Sequence, residues 1–155
     1  MDRTIPQRSH VINLKFLKIN LPSAHLLVHN NLPMTIYQTK LQELEERTIR
    51  FSVVVVRTIG PYNKDITLRP LVNQLVRSAT SIGANYAEAN NASSKADFRS
   101  KIYIAKKEAA ETRYWLRIFS ELVGESNFRS LQQEALELNL IFQKITSSLN
   151  LKTGK

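Results

Sequence analysis

Apolar residues recur at intervals of three and four over most of this chain, and this spacing constrains its fold more than any other feature. The repeats form four segments, which begin near residues 36, 67, 95 and 127. Such spacing places apolar side chains on one face of an α-helix. Breaks of only a few residues between long helices favour antiparallel neighbours. The sequence therefore predicts an all-α fold, an antiparallel up-down-up-down four-helix bundle.

Start and stop signals mark the ends of these helices. We expect the first helix over about Ile36–Ile59 and its end at Gly60 and Pro61, because glycine followed by proline is typical of a helix C-terminus. The second helix should end near Ala89, before the polar stretch NNASS, and the third before Gly124. The residues expected to begin helices two, three and four are Thr67 with Pro70 in the first turn, Ser94, and Ser126 or Asn127.

The third helix, expected over about residues 95 to 122, carries two adjacent apolar seams. An apolar arc this wide exceeds what one neighbouring helix can cover, so we expect the helix to lie deep in the bundle or to meet another subunit. Glu108 and Glu111 interrupt the second seam, where they either pair with a cation or lie at the edge of the buried arc. One seam consists of Phe98, Ile102, Ala105, Ala109, Thr112, Leu116 and Phe119, and the other of Ile104, Glu108, Glu111, Trp115, Ile118 and Leu122.

A polar row lies opposite the apolar face of the second helix. Arg77, Ser81, Asn85 and Glu88 repeat at helical intervals, so a basic group, a hydroxyl, an amide and a carboxylate share one side. Glu111 is the expected partner of Arg77. Because no histidine, cysteine or phosphate loop accompanies the row, we interpret it as a buried or subunit-facing structural network rather than a catalytic site.

A basic face is predicted on the remaining arc of the third helix. Its members are Lys95, Arg99, Tyr103, Lys106, Arg113 and Arg117. Positive charges with an aromatic ring among them are suited to follow phosphates and to stack on a base. The chain has 22 Lys and Arg against 13 Asp and Glu, a formal charge of +9, which favours RNA or a ribonucleoprotein as partner. The alternative is a solvated outer face that binds nothing.

Groups that carry catalysis or bind metals are scarce. The absence of cysteine excludes a thiolate metal site and fits a cytoplasmic protein, and no apolar run is long enough to cross a membrane. The four glycines form no phosphate loop. Glu88, Glu108 and Glu111 lack the Glu-x-x-His pairs of carboxylate metal bundles. We therefore expect no enzyme activity, cofactor, metal or small-molecule substrate.

The first 33 residues differ from the rest of the chain. They show no sustained helical or strand period, and prolines at positions 6, 22 and 33 interrupt them. We expect residues 1–33 to be a poorly ordered or non-native N-terminal arm, with Met34 as the hypothetical initiator, and residues 34–155 to form the bundle domain. His25 and His29 have the spacing of helical metal ligands, but two histidines alone make a poor site.

Two stretches resemble a known family. The run LVRSATSIGANYAEA, followed by SSKADFRSKIYIAKKEAAETRYWL, is similar to the bacterial four-helix-bundle proteins called 23S rRNA-intervening sequence proteins. The resemblance covers about Leu41–Leu149 and is most specific over Arg77–Glu88 and Ala105–Glu111. The chain departs from the family pattern at Gly83, Tyr86 and Ala89, in ways that a helix accommodates. The positions that match a family motif are Arg77, Ser81, Ile82, Asn85, Ala87 and Glu88.

The resemblance implies a non-enzymatic bundle without a cofactor that assembles as a homo-oligomer, commonly a pentamer. A related bundle is an accessory protein of retroelement reverse transcriptases and binds nucleic acid. Two hypotheses follow for this chain. It either binds RNA or a nucleoprotein through the basic face of the third helix, or it is a protein-protein adaptor or assembly scaffold whose charge is incidental.

Overall fold

Four helices make up the part of the chain that the structure, a computed structural model, describes, which is residues 34–124 and 128–150. They are α1 (Met34–Ile59), α2 (Arg69–Asn90), α3 (Lys95–Val123) and α4 (Phe128–Asn150), with a 3₁₀ turn over Gly60–Lys64. No strand occurs in these ranges, so the all-helical fold predicted from the sequence is confirmed. The proposed arm at 1–33 with His25 and His29, and the start of the fourth helix at Ser126 or Asn127, lie outside the described residues.

The helix ends follow the predicted signals, with one exception. The Ser94 side chain accepts a hydrogen bond from the Asp97 amide, and Gly124 ends α3 with a φ of 69°, where a side chain would be strained. The prediction that Thr67 caps α2 was wrong. The Asp65 carboxylate instead accepts a hydrogen bond from the Thr67 amide at 2.8 Å, and the helix begins two residues later, at Arg69, without a side-chain cap.

Contacts between successive helices join early residues of one to late residues of the next. From α1 to α2, Ser52 Oγ donates to the Ala79 carbonyl, while Asn90 Nδ2 donates to Glu45. The same reversal joins α3 to α4, where Phe119 contacts Phe128 and Asn139 donates to the Lys106 carbonyl. Contacts of this kind are typical of antiparallel neighbours.

The core is formed by the apolar faces that the spacing predicted. On α2 the buried positions include Leu75, Ala79, Ile82, Tyr86 and Ala89, and on α3 the first seam is buried from Ile102 to Phe119. The second seam of α3 is only half-buried, and its last member, Leu122, is exposed. α3 packs closely on both α2 and α4, which accounts for the first seam but leaves the second partly open to solvent.

A buried ion-pair cluster joins α1 to α4. Arg47 is 2% exposed, and its Nε and Nη2 donate to the Glu134 carboxylate at 2.6 and 2.8 Å, while Nη2 also donates to Glu137 at 2.7 Å. Burial lowers the pKa of Arg47, but the hydrogen bonds and charges of Glu134 and Glu137 outweigh it and raise that pKa above its ordinary value. The cluster therefore contains a permanent cation in the core.

Candidate nucleic-acid interface

The outer face of α3 carries a row of basic residues, and helix packing explains why it points outward. Ile102, Ala109 and Leu116 are buried between α2 and α4, so the positions half a turn away face solvent. The predicted residues Lys95, Arg99, Tyr103, Arg113 and Arg117 are all exposed, and Lys106 is half-buried.

No carboxylate shares this outer face along most of its length. The exposed residues of α3 from position 99 to position 117 are Arg99, Ser100, Tyr103, Lys107, Ala110, Arg113, Tyr114 and Arg117. In the part of the chain that the structure describes, Lys95, Arg99, Lys107, Arg113 and Arg117 form no ion pair and no side-chain hydrogen bond. Within the described residues, Glu121, one turn beyond Arg117, is the exposed carboxylate of α3, so the face keeps a net positive charge.

Lys106 differs from the other cations of the face because it has local partners. Its Nζ donates to Gln143 Oε1 of α4 at 3.0 Å and lies 4.6 Å from the centroid of the Tyr103 ring. The distance to the ring is that of a cation-π contact. Tyr103 thus lies beside a positive charge while its side chain remains exposed.

Sequence reasoning missed two members of this face, Lys107 and Tyr114. Both are exposed, and they lie just outside the predicted stripe, Tyr114 about 20° and Lys107 about 40° beyond Tyr103 around the helix axis. The prediction from helical spacing placed the centre of the basic face correctly but underestimated its width around the helix. The signal was present, because Lys107 and Tyr114 stand seven residues apart, and Tyr114 follows Tyr103 at three full turns.

The polar row of α2 faces α3 at its rim. Arg77 Nη2 lies 2.7 Å from Glu111 Oε1, so the expected partner is the one found, and Glu111 also accepts from the Trp115 indole at 3.1 Å. Of the two alternatives predicted for the row, buried or subunit-facing, the first does not hold for Arg77 in the single chain, because its side chain is 57% exposed, and the second stays a prediction. The Arg77–Glu111 pair therefore lies at the surface, with the two side chains 57% and 34% exposed.

The remaining members of the row do not join Arg77 in one network. Asn85 Nδ2 donates to the Ser81 carbonyl within α2, and Glu88 pairs with Lys101 of α3. The hydrogen bond and charge of Glu88 raise the pKa of Lys101. The row therefore contributes two separate ion pairs between α2 and α3, one at each end.

Glu108 lies beside the Arg77–Glu111 pair without a complete set of partners of its own. Its Oε2 is buried and accepts no hydrogen bond within the described residues. Burial and the neighbouring charge of Glu111 raise the pKa of Glu108, and Arg77 opposes this shift. Burial and the nearby negative charge of Glu111 therefore disfavour the ionised form of the Glu108 carboxylate.

A separate apolar surface lies on α1. Ile49, Val53 and Val56 follow one another at helical intervals and are 47%, 41% and 39% exposed. Three large aliphatic side chains in a row are more than the isolated exposed apolar residues of an ordinary surface. Such a stripe is suited to contact another protein chain.

Two structural findings bear on other kinds of site. Within residues 34–124 and 128–150, no three His, Cys, Asp or Glu side chains come together as metal ligands would, so Glu88, Glu108 and Glu111 do not converge. None of the helices in these ranges combines the length and the hydropathy needed to cross a bilayer.

The fold and the surface thus define an all-helical bundle with a basic face on α3. The sequence model of the 23S rRNA-intervening sequence protein family matches residues 40–144, and the chain belongs to this family. It is also similar to the crystal structure of a protein of unknown function from the S23 ribosomal protein family of Bacteroides thetaiotaomicron, with 33% identity and a TM-score of 0.61. That match covers 66% of this chain and 96% of the other. None of the curated proteins matches the chain at a significant level.

Proposed function

We propose that this chain is a non-enzymatic, basic, homo-oligomeric four-helix bundle that binds RNA or a ribonucleoprotein through the outer face of α3. The observation that carries the proposal is a set of exposed cations, from Arg99 to Arg117, that form no ion pair within the described residues, with the exposed Glu121 reached only one turn beyond Arg117. Elsewhere Arg47, Arg77 and Lys101 are paired with glutamates. Cations left without partners are available to an anionic ligand.

The arrangement of this face suits a phosphate backbone. Arg99, Lys106, Arg113 and Arg117 follow one another along a helix that is 29 residues long, so they span several successive phosphates rather than surrounding a single anion. A small anionic ligand would need a concave site with converging donors. The exposed face of one straight helix favours an extended polyanion instead.

Homo-oligomerisation is supported by apolar surface that is exposed on the described residues. The stripe of Ile49, Val53 and Val56 is exposed, and the second seam of α3 is only half-buried. A subunit contact would remove this surface from water. The family resemblance implies a pentamer, and a cytoplasmic location with no cofactor or small-molecule substrate completes the proposal.

Filter binding of a structured RNA across a salt series tests the RNA-binding part. With about five phosphate contacts to duplex, log affinity should fall against log salt with a slope of about −4 to −5. The variant R113Q/R117Q removes two of these contacts and should flatten the slope by about 2. The matched control R50Q/R57Q removes two exposed arginines of α1 and should bind like the wild type.

The second candidate function is a protein-protein adaptor or assembly scaffold that does not bind nucleic acid directly. The exposed stripe on α1 favours it. RNA binding that is absent at low salt would contradict the first proposal and favour this one. Light scattering of the purified chain tests the assembly that both share, and a monomer at micromolar concentration would contradict it.

A further inference from the structure

Two exposed tyrosines stand in register on the basic face of α3. Tyr103 is 52% exposed and Tyr114 is 59% exposed. They are eleven residues apart, which on an α-helix is three turns, a rise of about 16 Å and an angular offset of about 20°. The two rings therefore lie almost on one line parallel to the helix axis.

Within the part of the chain that the structure describes, each ring makes one ring contact and its residue stays more than half exposed. Lys106 Nζ lies 4.6 Å from the centroid of Tyr103, and Trp115 meets Tyr114 edge to face, with the centroids 5.1 Å apart. Lys107 stands between the two tyrosines in sequence and is exposed on the same side of the helix. Tyr103 thus lies against a cation and Tyr114 against Trp115, and both residues remain more than half exposed on a face that carries cations.

We propose that α3 binds a single-stranded segment of nucleic acid, with one base stacked on Tyr103 and another on Tyr114. The proposal rests on the proposed function and specifies the class of ligand for the same face. Aromatic platforms among cations recognise unpaired bases, because the faces of paired bases are already stacked within a duplex. Lys106, Arg113 and Arg117 would then contact the phosphates beside the stacked bases.

The distance between the rings sets the length of the ligand. At about 3.4 Å per stacked nucleotide, a span of about 16 Å corresponds to about five steps. A strand of about six nucleotides is therefore the shortest that reaches both tyrosines in a stacked conformation. Trinucleotides reach only one ring and should bind much more weakly.

Fluorescence anisotropy with labelled decanucleotides tests the proposal on the full chain at low salt. The probes are a single-stranded RNA, a DNA of the same sequence and the corresponding RNA duplex. We expect both single strands to bind more tightly than the duplex, with a salt slope of about −3.5 for five phosphate contacts. Binding should strengthen with strand length up to about six nucleotides and little beyond that.

The variants Y103A and Y114A should each weaken single-strand binding about tenfold or more and leave duplex binding unchanged. Y103F and Y114F keep the rings and should bind like the wild type, which separates stacking from loss of the hydroxyl. Because both side chains are exposed, the alanine variants should keep the wild-type helical circular dichroism spectrum.

The possible failures are distinguishable. If no polynucleotide binds at low salt, the proposed function itself is wrong. If the duplex binds as tightly as the single strand, or if Y103A/Y114A binds the single strand like the wild type while R113Q/R117Q does not, RNA binding stands and the stacking proposal is overturned.

Discussion

The arginines between the helices and the arginines on the outer face of α3 are the same residue type in opposite surroundings. Arg47 is buried and makes three hydrogen bonds to two glutamates. Arg113 and Arg117 are exposed and have no carboxylate partner among the described residues. A buried cation is tolerated only with its partners, whereas an exposed one is hydrated and needs none. The first kind maintains the fold, and the second is available to a ligand.

Arg77 lies between these extremes. It pairs with Glu111 at 2.7 Å, but more than half of its side chain is exposed. Water and salt screen such a pair, so its contribution is small even though its geometry is good. Burial rather than distance therefore separates the structural cations from the others.

The largest effect is expected from Arg47→Ala. The change leaves the buried Glu134 carboxylate without its cation and should lower the free energy of unfolding by about 3 to 5 kcal/mol, measured by urea denaturation. The control R47M/E134L replaces the pair with apolar side chains and should recover most of the loss. A loss below about 1 kcal/mol for Arg47→Ala would show that the buried cluster stabilises the fold no more than a surface ion pair does.

A double-mutant cycle on Arg77 and Glu111 should give a coupling energy of about 0.2 to 1 kcal/mol. The reason is the exposure of Arg77, and added salt should reduce the coupling further. The readout is urea denaturation of R77A, E111A and R77A/E111A. A coupling of about 3 kcal/mol or more would show that this pair is buried, for instance by another subunit.

The ionisation of Glu108 should change the free energy of unfolding as pH varies. Its raised folded pKa means that the native state holds the proton more tightly than the unfolded state, so stability is lost as pH rises from about 4.5 through that raised pKa. E108Q lacks this loss and should gain stability relative to the wild type as pH rises through this window. Urea denaturation across this pH window measures the difference in stability, and E121Q, on the exposed side of α3, is the control. Parallel profiles of stability against pH for E108Q and the wild type would contradict the prediction.

The smallest effect on folding is expected on the outer face. R113Q/R117Q should unfold within about 0.5 kcal/mol of the wild type, since neither arginine pairs with another described residue. The same urea titration measures it. Destabilisation of 2 kcal/mol or more would mean that these arginines are structural.

The helices and most of the core could be predicted from the sequence because apolar spacing depends only on local geometry. The same holds for Ser94 and Gly124, whose capping roles involve the next few residues. Thr67 shows the limit of this reasoning, since Asp65, only two residues away, accepts the hydrogen bonds of the turn instead. When several polar side chains lie in one turn, the backbone geometry decides which of them accepts the hydrogen bonds, and composition does not give that geometry.

The Arg47 cluster was missed because its partners are 87 and 90 residues away in sequence. A signal existed in the spacing, since Arg47 falls between Leu44 and Phe51 on the apolar stripe of α1. For Arg77 the sequence predicted the partner, Glu111, but not that more than half of the Arg77 side chain is exposed. Helical periodicity gives the direction in which a side chain points, whereas burial depends on how closely two helices approach at that level.

The most direct test of the account compares RNA affinity and folding stability in the same variant. At 0.1 M salt, R113Q/R117Q should bind a structured RNA at least about tenfold more weakly than R50Q/R57Q does. The midpoint of its urea unfolding transition should equal that of the wild type. If the two variants bind RNA equally well, or if the wild-type affinity does not change with salt, the outer face of α3 is not the binding surface.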